Sequence, residues 1–124
     1  MGGVAVLTLP SSVRVFLAVE PIDMRGSFDS LAGHVRRLEL DPQDGHLYVF
    51  VNRRRRLMKV LFLDRSGWCI LAKRLERGTF ELPRVRPGQR KVAIDSATLG
   101  LILEGIDLAR APRRLRYGRE ATSP

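Results

Sequence analysis

Apolar and polar positions follow two different rhythms along this chain. "VRVFLAV" (13–19) is β-branched and aromatic and predicts a strand, which Pro21 ends. Over "SFDSLAGHVRRLEL" (27–40) the period changes: Phe28, Leu31, Val35 and Leu38 fall three, four and three residues apart, one face of an amphipathic helix. Ser27 is placed to cap it, and Asp29 and Arg36–Arg37 lie at the ends where the helix dipole favours their signs. Pro42, in the turn cluster "DPQDG", stops it. Strand character then returns in "HLYVFV" (46–51), "LMKVLFL" (57–63), "WCILAKRL" (68–75) and the short "TFEL" (79–82), which Pro83 closes. Connections as short as "DRSG" predict antiparallel pairing, because parallel strands need long crossovers.

After the polar loop "RVRPGQRK" (84–91), Leu99, Ile102, Leu103 and Ile106 mark a second helix within 95–108. Asp95 or Ser96 is its expected N-cap, and Gly105 lies near its end. The pattern therefore predicts one α+β domain over residues 1–108: an antiparallel β-meander of about four strands packed with two amphipathic helices. From Ala109 onward the periodicity is lost and arginine, proline and glycine accumulate, which predicts a flexible basic tail over 109–124.

Composition sharpens this picture through charge. The 124 residues suit a single domain, and 44% of them are apolar, enough for a core. The formal net charge is +9. It is segregated: the segments 1–51, 52–77, 78–108 and 109–124 carry −2, +7, 0 and +4. Solubility alone would not need such segregation. Binding a polyanion would use it, because neutralising neighbouring phosphates releases several counterions together. Arg53, Arg54, Arg55 and Arg56 fall in a predicted turn between strands, where their heads reach water while the flanking strands bury apolar side chains. Lys59, Lys73, Arg74 and Arg77 lie on or beside the same strands, but whether they share a face with the turn depends on a register the sequence does not fix. The planar fork of arginine suits phosphate contact, and Tyr48, Trp68 and Tyr117 are candidate stacking groups unless the core claims them.

Candidate chemistry is sparse. No glycine-rich loop ends in Gly-Lys-Ser/Thr, so no P-loop is expected. His34 and His46 have no second histidine or cysteine at ligand spacing, so no metal site or cofactor is expected. Cys69, the single cysteine, reads as a small buried hydrophobe and suits a reducing cytoplasm. Asp23, Asp41, Asp44, Asp64, Asp95 and Asp107 are each explained locally by a loop, turn or cap rather than by a metal-binding triad. No run approaches the roughly 20 apolar residues of a membrane span, and "VAVLTLP" lacks the basic flank of a signal peptide.

Several stretches occur in a recognisable order: "DMR" (23–25), "GHLYVF" (45–50), "KVLFLD" (59–64) and "KRLERG" (73–78). With their surroundings, over about residues 9–108, they resemble the TnpB accessory-protein family of insertion sequences of the IS-sixty-six type. The resemblance implies a non-enzymatic protein encoded beside a separate transposase and acting in bacterial DNA transposition. It supplies no catalytic residues to carry over. The sequence departs from the family pattern at Leu63 and Leu82, where a tryptophan commonly stands.

Residues and resemblance together give an expected function: a cytoplasmic, non-catalytic accessory factor that contacts element DNA, the transposase, or both. Arg53, Arg54, Arg55, Arg56, Lys59, Lys73, Arg74 and Arg77 are the expected phosphate contacts. Asp23 and Arg25 form a loop pair that holds the loop's shape or faces a partner. Two rivals stand beside this reading: an adaptor whose basic turn docks on an acidic transposase surface, and a nuclease using Asp64 with neighbouring carboxylates.

Overall fold

The computed structural model describes Pro10 and residues 12–105. The expected tail over 109–124 lies outside them, as do Tyr117 and the end of the second predicted helix. Among these residues five strands and two helices follow one another as β1 (Val15–Ala18), α1 (Phe28–Arg37), β2 (Leu47–Val51), β3 (Leu57–Leu63), β4 (Trp68–Arg74), β5 (Lys91–Ile94) and α2 (Ser96–Leu103). The strands form one sheet in the order β4-β3-β2-β1-β5.

The fold is α+β, with a helix on either face of this sheet. Alternation along the strands sorts their side chains into two cores. Val15, Leu17, Leu47, Val49, Val51, Met58 and Val60 pack with Leu99, Ile102 and Leu103 of α2. Tyr48, Phe50, Leu61 and Ala18 pack with Leu31, Ala32 and Val35 of α1. Burial on both faces explains why β2, "LYVFV", is buried at every position rather than alternating.

The expected meander is present in β2–β3–β4, which pair antiparallel through short turns. Two features extend it. β1 pairs parallel to β2, Val15 opposite Leu47 and Leu17 opposite Val49. The connection between them carries α1, the long crossover that parallel pairing requires. β5 then covers the other edge of β1 antiparallel, Val15 opposite Ile94 and Ala18 opposite Lys91. The sheet is thus mixed and five-stranded.

"TFEL" is not the fourth strand of the meander. Phe80 is fully buried in the α2 core, and its amide bonds to Arg55 O at 2.7 Å instead of joining a ladder. β5 escaped the sequence pattern because "KVAI" offers only Val92 and Ile94 on one face beside a charged loop.

The helix ends are built from local chemistry. Asp95 caps α2, its carboxylate accepting from the Thr98 amide at 2.7 Å. Gly105, at φ +77, follows the last turn in a left-handed conformation that glycine adopts at no steric cost. Ser27 occupies the N-cap position of α1 without a side-chain cap bond. At the other end α1 stops before Pro42: Glu39 turns left-handed at φ 64, its amide bonds to Arg36 O, and the Leu40 amide bonds to Val35 O. That bond pair is a Schellman closure. Two cations from the start of β5 take the remaining carbonyls, Arg90 on Arg37 O at 2.6 Å and Lys91 on Leu38 O at 2.7 Å. No helix among the described residues is long and apolar enough to cross a membrane.

Candidate nucleic-acid interface

The four arginines occupy the β2–β3 connection, as the pattern predicts. Asn52 organises it. Its side-chain oxygen accepts from the amides of Arg56 at 3.0 Å and Leu57 at 3.1 Å, and its carbonyl accepts from Arg55. Arg55 sits at φ 56, the left-handed region in which a hairpin would ordinarily place glycine. From outside, the Leu75 amide bonds to Arg56 O and the Phe80 amide to Arg55 O. The Arg56 side chain donates to Glu76 O at 3.2 Å. These bonds fix the turn's backbone, while all four arginine side chains remain exposed.

The β1–α1 loop forms a facing wall. The Ile22 amide ties it to Val51 O at 3.1 Å. Lys59, on the α1 face of β3, reaches up and donates to Met24 O at 2.8 Å and Gly26 O at 3.1 Å. Gly26 is required there, because a Cβ at this position would collide with the Ser30 side chain. Within the loop Arg25 grips Asp23: Nε lies 3.0 Å from Oδ2 and Nη2 lies 2.7 Å from it. The Arg25 amide also donates to Asp23 Oδ1. The guanidinium, then this amide, hold the Asp23 carboxyl down at about 2. This is the single ion pair among the described residues.

Between loop and turn lies an open groove of about 610 Å³, with Arg53, Arg54 and Arg74 on one side and Asp23 and Arg25 on the other. Pro21, Ile22 and Leu57 contribute apolar lining. Arg74 joins because β4 pairs with β3 in a register that sets it opposite Leu57. Members of the two sets read separately from the sequence, Arg53 and Arg54 of the arginine turn and the Asp23–Arg25 loop, therefore line one groove.

The remaining site candidates are placed differently. Arg55 and Arg77 are exposed on the same end of the sheet but do not line the groove. Lys59 holds the loop, as described. Lys73 points to the opposite face and donates to Leu103 O at the end of α2. Both ammonium groups are thus engaged with backbone carbonyls. Sequence reasoning missed the apolar lining, since a lone Ile22 or Leu57 carries no signal until the loop is folded over the strand.

A second hollow, about 390 Å³, lies on the other side of the same loop, lined by Glu20, His34, Arg37, Phe50 and Arg90 among others. Partial burial, and then the Arg37 charge, lower the His34 pKa.

Two of the aromatic candidates, Tyr48 and Trp68, are taken by packing. Tyr48 Oη lies 2.6 Å from the Asp44 carboxylate and 2.8 Å from Asp41 O. Burial and then the Asp44 bond push its pKa up, so it stays a neutral donor. Trp68 packs at the edge of the α1 core. The carboxylates are equally committed. Asp64 accepts from the Ser66 and Gly67 amides, both at 2.9 Å, and from the Cys69 thiol. These bonds, the Ser66 amide foremost, lower its pKa. Burial, then Asp64, raise that of Cys69, leaving a poor nucleophile. Among the described residues no three His, Cys, Asp or Glu side chains, Asp64 included, gather as metal ligands.

A family model described as "IS66 Orf2 like protein" matches residues 13–113. Two relatives come from Sinorhizobium fredii (strain NBRC 101917 / NGR234). "Uncharacterized protein y4hO" is 45% identical over 102 residues, covering 80% of this chain and 87% of the relative. "Uncharacterized protein y4jC" is 29% identical over 103 residues, covering 82% and 86%. No solved structure matches.

Proposed function

Because this chain belongs to the IS66 Orf2 like protein family, we propose that it serves transposition by presenting the arginine-bearing end of its sheet to the phosphates of element DNA. Its role is accessory and non-catalytic. It works in the bacterial cytoplasm beside the transposase of the same element, its expected protein partner.

One observation carries this reading. Arg53, Arg54 and Arg74 converge on a single groove, and none of them makes an ion pair among the described residues. Guanidinium groups carried on a fixed turn and strand have no carboxylate partner to give up before they meet phosphate. Arg55, Arg56 and Arg77 widen the cationic end around them. Contacts of this kind position a protein on DNA without reading sequence, which fits an accessory role.

The test is DNA binding by the purified protein as a function of salt. Each phosphate contact contributes about −0.9 to the slope of log affinity against log salt for duplex DNA. Replacing Arg53, Arg54, Arg55 and Arg56 with glutamine flattens that slope if these residues meet phosphates. Absence of binding at low salt, with transposase capture lost in the same variant, would assign the arginines to an acidic protein surface instead.

A further inference from the structure

We infer that the groove between the β1–α1 loop and the arginine turn holds an unpaired DNA strand rather than the side of a duplex. This rests on the phosphate-binding reading above and adds the form of DNA that the groove accepts.

The groove's cross-section mixes two chemistries. Guanidinium groups of Arg25, Arg53, Arg54 and Arg74 stand around it, and Ile22 and Leu57 line it between them. A duplex is a wide cylinder with phosphates outside and bases stacked within, so it would meet only the rim and leave the apolar strip unused. An unpaired strand supplies both partners: phosphates for the rim, and base faces for the apolar strip and the guanidinium planes. Size agrees. About 610 Å³ lies within the roughly 300–1,000 Å³ range of small-ligand sites, room for one or two nucleotides.

Asp23 takes a specific part in this arrangement. It accepts from Nε and Nη2 of Arg25 and so fixes the plane of that guanidinium. The Arg25 Nη1 group makes no hydrogen bond among the described residues and stays available. A clamped plane with a free edge is a stacking plate that also donates to phosphate, at less entropic cost than a freely rotating arginine. On the other wall, Asn52 lines the groove and spends its side-chain oxygen on the turn, while its amide nitrogen makes no hydrogen bond among the described residues.

The experiment compares an oligothymidylate of about 12 nucleotides, within the site sizes common for single-strand binders, with a duplex of the same length at matched salt. The expected result is at least about tenfold tighter binding of the single strand. Arg25→Gln and Asp23→Asn should each erase most of that preference while changing duplex affinity less. Photo-cross-linking from 5-iododeoxyuridine in the oligonucleotide should map to residues 21–25 and 52–57. Equal or tighter duplex binding that still depends on the arginines would overturn this inference and leave the phosphate-binding reading intact. Cross-links confined to other segments would overturn it as well. Failure of both DNAs to bind at low salt would remove the reading itself.

Discussion

The two ends of the sheet carry opposite charge and use it in opposite ways. At one end lie Arg25, Arg53, Arg54, Arg55, Arg56, Arg74, Arg77 and Arg90, against Glu20, Asp23 and Glu76. At the other, the turns that start β2, join β3 to β4 and follow β5 hold Asp41, Asp44, Asp64 and Asp95, against Arg14 and Arg65. Every one of those four aspartates accepts a backbone amide in its own turn or cap. Of the arginines at the basic end, Arg25 alone is paired with a carboxylate among the described residues. The acidic end is charge used to build the fold; the basic end is charge the fold leaves exposed and, Arg25 apart, without a carboxylate partner among the described residues. The contrast matters because net charge alone, +9, would not distinguish the two uses.

The contrast is sharpest as a double dissociation, which carries the largest expected effects. Asp44→Ala removes the carboxylate beside the Tyr48 hydroxyl and the acceptor of the His46 amide. Charge-assisted bonds of this kind are worth about 1.5–3 kcal/mol, so unfolding stability should fall by roughly 2–3 kcal/mol. DNA affinity should not change. Replacing Arg53, Arg54 and Arg74 with glutamine should do the reverse: stability within about 0.5 kcal/mol of the parent, and affinity at low salt reduced by a hundredfold or more. Denaturant titration and anisotropy on both variants check it. Loss of stability in the arginine variant would show that the basic end also holds the fold together.

Much of this was legible from residue pattern, for identifiable reasons. The arginine turn was visible because charge that dense has nowhere to go but a solvent-facing connection between two apolar strands. The caps and turns at Asp95, Asp41 and Asp64 were visible because their chemistry is local. What the sequence hid was non-local. Nothing in "KVAI" announces that β1 needs an edge partner, and the helical period of α1 does not announce its consequence, parallel pairing of β1 with β2. "TFEL" alternates like a strand, yet Phe80 alternates into the core from a crossing segment. The groove itself depended on strand register, which set Arg74 opposite Leu57, and on Lys59 pulling the loop over the sheet. A lysine in a basic block reads as another phosphate contact until its ammonium is seen 2.8 Å from Met24 O.

Lys59 therefore tests whether the basic end is uniform. If its charge holds the loop rather than DNA, Lys59→Met should lower stability by roughly 1.5–2 kcal/mol, the loss of charged-donor bonds to two carbonyls. The salt slope of duplex binding should stay unchanged, because no phosphate contact is lost. A slope shallower by about 0.9 would make Lys59 a phosphate ligand instead.

Gly26 probes the same wall from its hinge, with a smaller effect. Gly26→Ala places a Cβ against the Ser30 side chain, and overpacking of this sort costs about 1–2 kcal/mol. Ser30→Gly in the same chain removes the obstacle and should restore most of the loss, a coupling that a double-mutant cycle isolates. Additive losses would show that Gly26 is needed for something other than that contact.

The smallest effect isolates the cost of keeping charge on the turn. Arg55 is held at φ 56, where a side chain with a Cβ costs about 1–2 kcal/mol and glycine fits freely. Arg55→Gly should relieve that strain and give back part of it as the flexibility of glycine in the unfolded chain, about 0.5–1 kcal/mol. The net is a gain of roughly 0.5 kcal/mol, readable as a raised denaturation midpoint. The same change removes one cation, so the salt slope should become shallower by up to about 0.9. Arg55→Asn separates the two contributions, since asparagine tolerates the left-handed region and carries no charge: it should match the glycine variant in slope while gaining less stability. A chain that gains stability with no change in slope would mean that Arg55 carries strain for no DNA contact, and would remove it from the cations that meet phosphate.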